Sequence, residues 1–509
     1  MKRLYYLISL ISIGDSFRQS IVLERRKYKK HQARIKIMQR TMTTKETTAK
    51  EEKVLSQGRA LDREFITIAI PALIQFSAEP IVRVVDTIWL ARLGAAALGG
   101  AGAALAATYA ISKLYNDPLL RSSISLVAAD SDGSGNAATA ALSLALLVGF
   151  LQSTVSFLLA PVILSRISLV RPGSIMREPA LAFFRVSALG APISSLWLAV
   201  NGIFRGYGDT FTPLKAALLF TGLNAILCPF FIFKLNFGAG GAALATVSAQ
   251  SIALYPLLRA LAKRQNLNMQ QLFQRSLTWT PELASSIKSF ASAGAFIFIR
   301  TLGKICAYAV CAREAARLGA VASAAHSLCF QLGVATTQLC EAAAVATQSL
   351  LARVQGSSAP SSFRRSVALQ LLVRGLGTGL IASTSLAIFT YFNQQNVLNT
   401  MCGSEPAIYA AAQSILPLVL FCQILKGCAY PVNGALMGFL DWKISSIVMW
   451  LAQAVCALTL IISANLSGGT TLYTLWSGLV ALFSVQCLAG LARVISGTGP
   501  WKLLYTSSS

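Results

Sequence analysis

Charge is scarce in this chain. Of its 509 residues only 12% are Asp, Glu, Lys or Arg, where a soluble globular domain carries roughly 25%. Histidine is almost missing, with His31 and His326 the only two. An H-E-x-x-H sequence is lacking, and the apolar segments show no nucleophile–base pair, so an intramembrane enzyme is not expected. Cysteine is absent from the first 227 residues, and most of the ten later ones sit inside apolar runs. Cys306/Cys311 and Cys422/Cys428 do not have the spacing of zinc ligands, so packed thiols are expected and no metal site. The apolar/polar alternation of a membrane barrel is also lacking, which leaves helices as the elements able to satisfy backbone groups in lipid.

What is abundant is apolar: hydrophobic residues make up 55% of the chain. Runs near or above twenty residues recur, long enough to cross a hydrocarbon core of about 30 Å. The hydropathy predicts an all-α polytopic membrane protein with twelve spans, at 65–91, 97–129, 137–163, 180–203, 214–235, 241–262, 290–312, 319–350, 366–392, 407–431, 444–464 and 470–495. The first of these contains Glu79, Arg83 and Asp86.

The formal net charge of +25 is unevenly placed. The first 50 residues hold 13 Lys or Arg against three acids. Arg259, Lys263, Arg264, Arg275 and Lys288 follow in one connection, and Arg353, Arg364 and Arg365 in another, whereas 393–413 and 463–476 carry no Lys or Arg. With twelve spans the basic connections fall on the side of both termini, which the positive-inside rule makes cytosol-like. Arg166, Arg171 and Arg177 on the opposite side run against this assignment. Charge that follows loop parity, instead of forming one patch with aromatics, argues against nucleic acid as a partner. The expected partners are the lipid bilayer and a small organic solute, and the expected state is a monomer.

Residues 1–64 read as a tail. The apolar stretch 4–13 is too short to span and no small-residue cleavage site follows it. The rest of the tail is basic, poor in acids and ends in Thr, which suits an organelle transit segment, although Ser is scarce. A solvated tail and a misplaced start site are the alternatives.

The chain writes one pattern twice. "VNGIFRGYGD" (200–209) and "VNGALMGFLD" (432–441) both spell V-N-G-x-x-x-G-x-x-D, 232 residues apart. "ARLG" at 91–94 recurs at 316–319, offset 225; "EPA" at 178–180 recurs at 405–407, offset 227; Pro192 and Pro417 again differ by 225. Four landmarks in one order, at nearly constant offset, indicate a duplication of six spans plus six. Six is even, so both halves enter from the same face and form parallel repeats, an arrangement common in secondary transporters. A channel or scaffold made by duplication is the bland alternative. The expected organisation is a tail at 1–64, a six-helix lobe at 65–262, a cytosol-side linker at 263–289, a second lobe at 290–495 and a tail at 496–509.

Within the repeated motif, Gly202, Gly206, Gly434 and Gly438 have the spacing that lets helices approach closely. Asp209 and Asp441 are expected to cap or brace a turn, and Thr212 before Pro213 reads as a helix start. A gating role is the alternative for both acids.

The same residues carry a family resemblance. "EPIVRVVDTIWLARLGAAALGGAGAA" resembles the first-helix signature of the multidrug and toxic compound extrusion (MATE) transporters, and 200–250 resembles their fourth to sixth helices. "SKLYNDPLLRSSISLVAAD" (112–130) and 299–352 resemble plant members of the DinF-type branch, some of which are sent to plastids. The resemblance spans roughly 60–495. It implies two lobes of six helices, and expulsion of an organic solute in exchange for H+ or Na+, with no cofactor. It also implies a cation site in the first lobe built from Asp86, Asn201, Asn224 and Thr246. One position departs: the pattern N-x-x-x-D-P has Cys228 in place of its acid. That removes one of two carboxylates and favours H+ over Na+; loss of coupling altogether is the other consequence open.

Asp86 also stands out without the family. A carboxylate at the centre of a span costs about 2.5–3.5 kcal/mol on insertion scales and normally faces a bundle interior or an ion path. Burial disfavours the charged form of such a group, which suits one that must gain and lose a proton. The structural alternative is pairing with Arg83 or Arg92. At offset 225 Asp86 faces Cys311, so the second half lacks this acid. Glu341 and His326 are the second-half candidates for the substrate cleft. Glu341 could attract a cationic or hydroxylated solute, or pair with Lys304 or Lys426; His326 could relay a proton or serve as a hydrogen-bonding group between helices. Lys304 is unusual in a span, and Tyr115, Trp197 and Trp450 read as interfacial or packing residues. Besides a secondary antiporter, a lipid-linked precursor flippase is considered; it would need a strongly cationic cleft, for which Arg185, Arg300 and Lys304 are the visible basis.

Overall fold

The computed structural model describes residues 58–505 except 77, 79, 84, 131–134, 167–169, 403–404 and 467. Glu79 and residues 1–57 of the proposed transit segment therefore lie outside the described residues, while 58–64, expected as tail, belong to the first helix, Gly58–Ala91. No strand occurs among those described. Among the described residues eleven helices are long and apolar enough to cross a membrane, and one bent pair, taken as one span, brings the number to twelve.

The first lobe contains α1 (Gly58–Ala91), α2 (Ala95–Ala129), α3 (Asn136–Arg166), the pair α4 (Arg177–Leu189) and α5 (Ala191–Gly206), α6 (Phe211–Pro229) and α7 (Gly238–Arg264). A short α8 (Met269–Leu277) follows, opened by a reciprocal capping box between Asn268 and Gln271. It is tied to α3 of the first lobe, where Ser143 donates to the Ser276 carbonyl at 2.6 Å. The second lobe contains α9 (Pro281–Arg317), α10 (Ala320–Gly356), α11 (Ser361–Phe392), α12 (Gln394–Cys402), α13 (Pro406–Gly438), α14 (Trp442–Leu466) and α15 (Leu472–Ile495).

The outer faces are those of a protein in lipid. Leu158 is 69% exposed, Val373 70% and Ile381 70%, a density of bare aliphatics that a soluble monomer does not present. Alanine-rich interiors, such as Ala138, Ala140, Ala141 and Ala145 in α3, let the helices pack closely where no hydrophobic force distinguishes protein from lipid.

The duplication is visible in the backbone. The two A-R-L-G turns end on Gly94 at φ +98° and Gly319 at φ +104°, a conformation that favours glycine over any residue with a side chain. The glycines of the ten-residue motif sit in matching contacts. A side chain at Gly202 would meet the Leu120 carbonyl at 2.7 Å and one at Gly206 that of Ile124 at 2.9 Å; the counterparts are Gly434 against Ala344 at 2.5 Å and Gly438 against Gln348 at 2.7 Å. Thus α5 packs on α2 as α13 packs on α10, in the same register.

The copies also differ. The fourth span is bent by 51° between Leu189 and Ala191, where Gly190 lies against Val247 with no room for a side chain and Pro192 supplies no N–H. Its counterpart Pro417 lies inside the unbroken α13. The reading of Thr212 as a helix start is corrected by one turn position: α6 begins at Phe211. The Asp209 carboxylate accepts from the N–H groups of Phe211 and Thr212 at 3.1 and 2.9 Å, and from the Thr212 hydroxyl at 2.7 Å. Asp441 instead accepts from Arg493 Nε at 2.7 Å and Trp501 Nε1 at 3.0 Å, which fastens the C-terminal turn beneath α13.

Candidate coupling site and the contact between the lobes

Asp86 sits near the end of α1, 7% exposed. Facing it are Asn224 and Cys228, four residues apart on one side of α6 and both fully buried, and Thr246 of α7. Four-residue spacing is what places the Asn and the Cys on one helix face. Asn224 Nδ2 donates to Thr246 Oγ1 at 3.0 Å. The Thr246 hydroxyl has one proton and two acceptors within reach, the Ala242 carbonyl at 3.2 Å and Asp86 Oδ2 at 3.4 Å. Asp86 Oδ1 and Asn224 Oδ1 are both buried without a hydrogen-bond partner among the described residues. An unsatisfied buried polar atom costs about 1–3 kcal/mol, more for a charged group, so the arrangement is suited to an incoming proton or cation.

The cations offered as structural partners of Asp86 make other contacts: Arg83 lies over the Tyr109 ring at 4.4 Å and Arg92 over the Trp89 ring at 4.5 Å. Asn201 is not joined to Asp86 by a hydrogen bond. Its Nδ2 donates to the Trp197 carbonyl at 2.6 Å and its Oδ1 accepts from Gln75. Gln75 in turn accepts from Arg205 Nη2 at 2.9 Å, and the Arg205 carbonyl accepts from Ser349 of α10 at 2.7 Å. Asn201 thus opens a polar chain that runs from the first lobe to the second. Gln75 and Arg205 were missed in the sequence, although Gln75 is a lone amide in an apolar run and Arg205 lies inside the repeated motif itself.

Where the lobes meet, Glu341 of α10 pairs with Arg121 of α2 at 2.8 Å, not with Lys304 or Lys426. Arg121 also holds Asp117 at 3.0 Å, Lys113 lies 3.7 Å from the same carboxylate, and Thr301 of α9 donates to it at 3.3 Å. Gln348 Nε2 continues the contact to the Arg121 carbonyl at 2.9 Å and to Ser125 at 2.7 Å, and Arg353 pairs with Glu64 at 2.7 Å. Asp117 and Arg121 were legible as an i, i+4 pair inside an apolar segment, but were not singled out.

Lys304 donates to the Tyr430 hydroxyl at 3.1 Å, and Lys426 to the Gly333 carbonyl at 2.8 Å. His326, 5% exposed, packs between Phe330 and Trp476 with Nδ1 unpartnered among the described residues. Trp197 packs on Phe220, Tyr115 on Phe298, and Trp450 donates to the Ile299 carbonyl at 2.9 Å. Among the described residues no cluster of three or more His, Cys, Asp and Glu could hold a metal.

Comparison with known proteins places these features in context. The MatE family model matches residues 71–230. Protein DETOXIFICATION 44, chloroplastic, of Arabidopsis thaliana is 30% identical over 458 residues, covering 87% of this chain and 84% of that protein. Protein DETOXIFICATION 45, chloroplastic, of the same plant is 27% identical and covers 88% and 80% respectively. The fold is similar to that of a crystal structure of MATE in the bent conformation, with a TM-score of 0.75 at 19% identity, covering 88% of this chain and 97% of that one.

Proposed function

The chain belongs to the MATE family, and on that premise we propose that it is a secondary antiporter that exports an organic solute in exchange for H+, with Asp86 as the proton-carrying group. Its work is transport across a membrane, not chemical conversion. The finer reading rests on one observation: a buried carboxylate whose Oδ1 has no partner, beside a buried amide oxygen in the same condition. A proton on Oδ1 would turn that unsatisfied acceptor into a donor, in a pocket formed by Asn224, Cys228 and Thr246. Na+ is the poorer candidate. Hard cations are held by several oxygen ligands, and the position where the family resemblance expects a second carboxylate is the Cys228 thiol.

Coupling follows if protonation and solute binding favour different orientations of the lobes, because a ligand shifts an equilibrium only by its differential affinity for the two states. The Asn201–Gln75–Arg205 chain supports a route for this, since it links the first lobe to α10. Both lobes lie in one chain, so a monomer suffices, and the bilayer is its only obligatory surroundings. The word "chloroplastic" in the names of two relatives supports a chloroplast membrane as the location.

The test is transport in proteoliposomes under an imposed pH gradient, with ethidium and 1-naphthoate as solutes, for the native chain and Asp86→Asn. Gradient-driven flux of either solute that disappears in Asp86→Asn is the expected result. Flux that survives in Asp86→Asn would remove Asp86 from the mechanism. Silence in the native chain, with flux restored by Cys228→Asp, would mark a transporter that has lost its coupling.

The flippase reading keeps one specific support: Arg300 and Lys304, two of the cations it called on, stand near the contact between the lobes. It predicts preference for a pyrophosphate-bearing lipid over any soluble organic anion.

A further inference from the structure

Around the contact between the lobes, positive charge outnumbers negative. Lys113, Arg121, Arg300, Lys304 and Lys426 lie within electrostatic reach of one another or of the same two carboxylates, Asp117 and Glu341. With Arg205, which lies within reach of the same Glu341 and Arg121, six cations face two anions among the described residues, so four positive charges are formally uncompensated. The two anions are spent on one side of the group: Asp117 is held by Arg121 and Lys113, and Glu341 by Arg121.

Of the remaining four cations, Arg205 donates to Gln75, and the other three belong to the second lobe. Arg300 is 6% exposed, its Nε has no hydrogen-bond partner, and no carboxylate among the described residues forms an ion pair with it. Lys304 stands one helical turn further along α9, hydrogen-bonded among the described residues to the Tyr430 hydroxyl and placed over the Tyr308 and Tyr430 rings at 5.8 and 5.2 Å. Lys426, 8% exposed, donates to a backbone carbonyl. Tyr430 is the common neighbour of all three. A cation removed from water normally has a counter-charge, because desolvation without one is strongly unfavourable. Among the described residues no carboxylate forms an ion pair with any of the three, and the two acids within their reach are already paired with Arg121. An anion from outside is the partner this chemistry calls for, and the Tyr308–Phe330 ring pair, with centroids 5.0 Å apart, offers a wall for an apolar body.

We propose that Arg300, Lys304, Lys426 and Tyr430 form a second-lobe subsite for the carboxylate end of an organic anion, which would be the solute exported. This rests on the exchange reading above. It also revises the role expected for Glu341, whose charge is taken up by Arg121 and is not free to attract a cationic solute.

The test is equilibrium binding to the purified full chain in nanodiscs, by calorimetry. The probes are benzoate, 1-naphthoate and glutarate, the methyl esters of the first two, tetraphenylphosphonium and inorganic pyrophosphate. At least one carboxylate should bind, with its ester or the cation at least tenfold weaker. Arg300→Gln and Lys304→Met should each weaken carboxylate binding at least tenfold. Arg300→Lys, which keeps the charge, should retain it within about threefold, which separates loss of the subsite from loss of the fold.

Esters that bind as well as acids, a preference for tetraphenylphosphonium, or carboxylate affinity insensitive to Arg300→Gln would each overturn the proposal. So would pyrophosphate binding above every carboxylate, which would assign the subsite to a phosphate-bearing substrate. Failure here is distinguishable from failure of the exchange reading. Proton-driven ethidium transport without carboxylate binding would sink only the subsite. Carboxylate binding with no pH-driven transport of any solute would sink only the exchange.

Discussion

Replacing Glu341 by Gln removes one of the two carboxylates that hold Arg121 at the contact between the lobes. In the structure Arg121 Nη2 is 2.8 Å from Glu341 Oε1 and Arg121 Nε is 3.0 Å from Asp117 Oδ2. Asp117 belongs to the same helix as Arg121, so its bond persists whether the lobes touch or part. Of the two bonds made by the Arg121 side chain, the one to Glu341 is lost when they separate. Both side chains of that pair are largely buried, at 12% and 14% exposure, so solvent screens it little. A hydrogen bond to a charged group contributes about 1.5–3 kcal/mol, and each 1.4 kcal/mol is a factor of ten. Glu341→Gln should therefore lower the ratio of touching to parted lobes on this face by roughly ten- to a hundredfold. Spin labels attached through an azido-phenylalanine at exposed Lys215 and Lys443 would report it by pulsed dipolar spectroscopy, free of the ten native cysteines. The native chain should give mainly the shorter distance and Glu341→Gln a dominant longer one. An unchanged distribution would refute the reasoning and leave the pair as a bystander.

Three further outcomes follow from the geometry. Gly434→Ala brings a methyl to 2.5 Å from the Ala344 carbonyl and should cost about 1–3 kcal/mol of stability; Gly377→Ala, with nothing within 4 Å, should be neutral or stabilising by up to about 1 kcal/mol. Thermal unfolding of both variants in nanodiscs decides, and equal effects would contradict the close approach of α10 and α13. Cys228→Asp places a second carboxylate beside Asp86, so transport should become stimulated by Na+ over K+ at fixed pH; indifference to Na+ would mean that Cys228 is not part of the site. Asp441→Ala strips the buried Trp501 indole and Arg493 of their acceptor, a loss of about 1–3 kcal/mol, and should expose 497–505 to chymotrypsin while the helices stay intact. Unchanged protection would show that the C-terminal turn is held by other contacts.

Much of the fold was legible because its signals are local. Apolar runs of spanning length mark the helices, and V-N-G-x-x-x-G-x-x-D marks the repeat, since glycine is required wherever α5 crowds α2 and α13 crowds α10. The bend at Gly190 was not legible: Pro192 has a counterpart in Pro417, yet only the first copy has a bend beside it, with Val247 of α7 against Gly190. The surroundings of Asp86 could be named in part, because Asn224 and Cys228 share a helix face and the family resemblance supplied Thr246. Asn201 was grouped with them by resemblance, but its amide is engaged by Gln75, 126 residues away. Ion-pair partners were the least legible. Lys304 and Lys426 were reasonable companions for Glu341 by proximity along the second half. Its partner is Arg121, which comes from the other lobe, and nothing in either local pattern encodes that pairing.

The central claim, that Asp86 carries a proton and not a sodium ion, can be tested without knowing the solute. Infrared difference spectra of the protein in lipid, recorded across a pH step, should show a protonated-carboxyl C=O band that disappears in Asp86→Asn and is unaffected by exchanging K+ for Na+. A band that persists in Asp86→Asn, or one that Na+ abolishes at constant pH, would contradict the account.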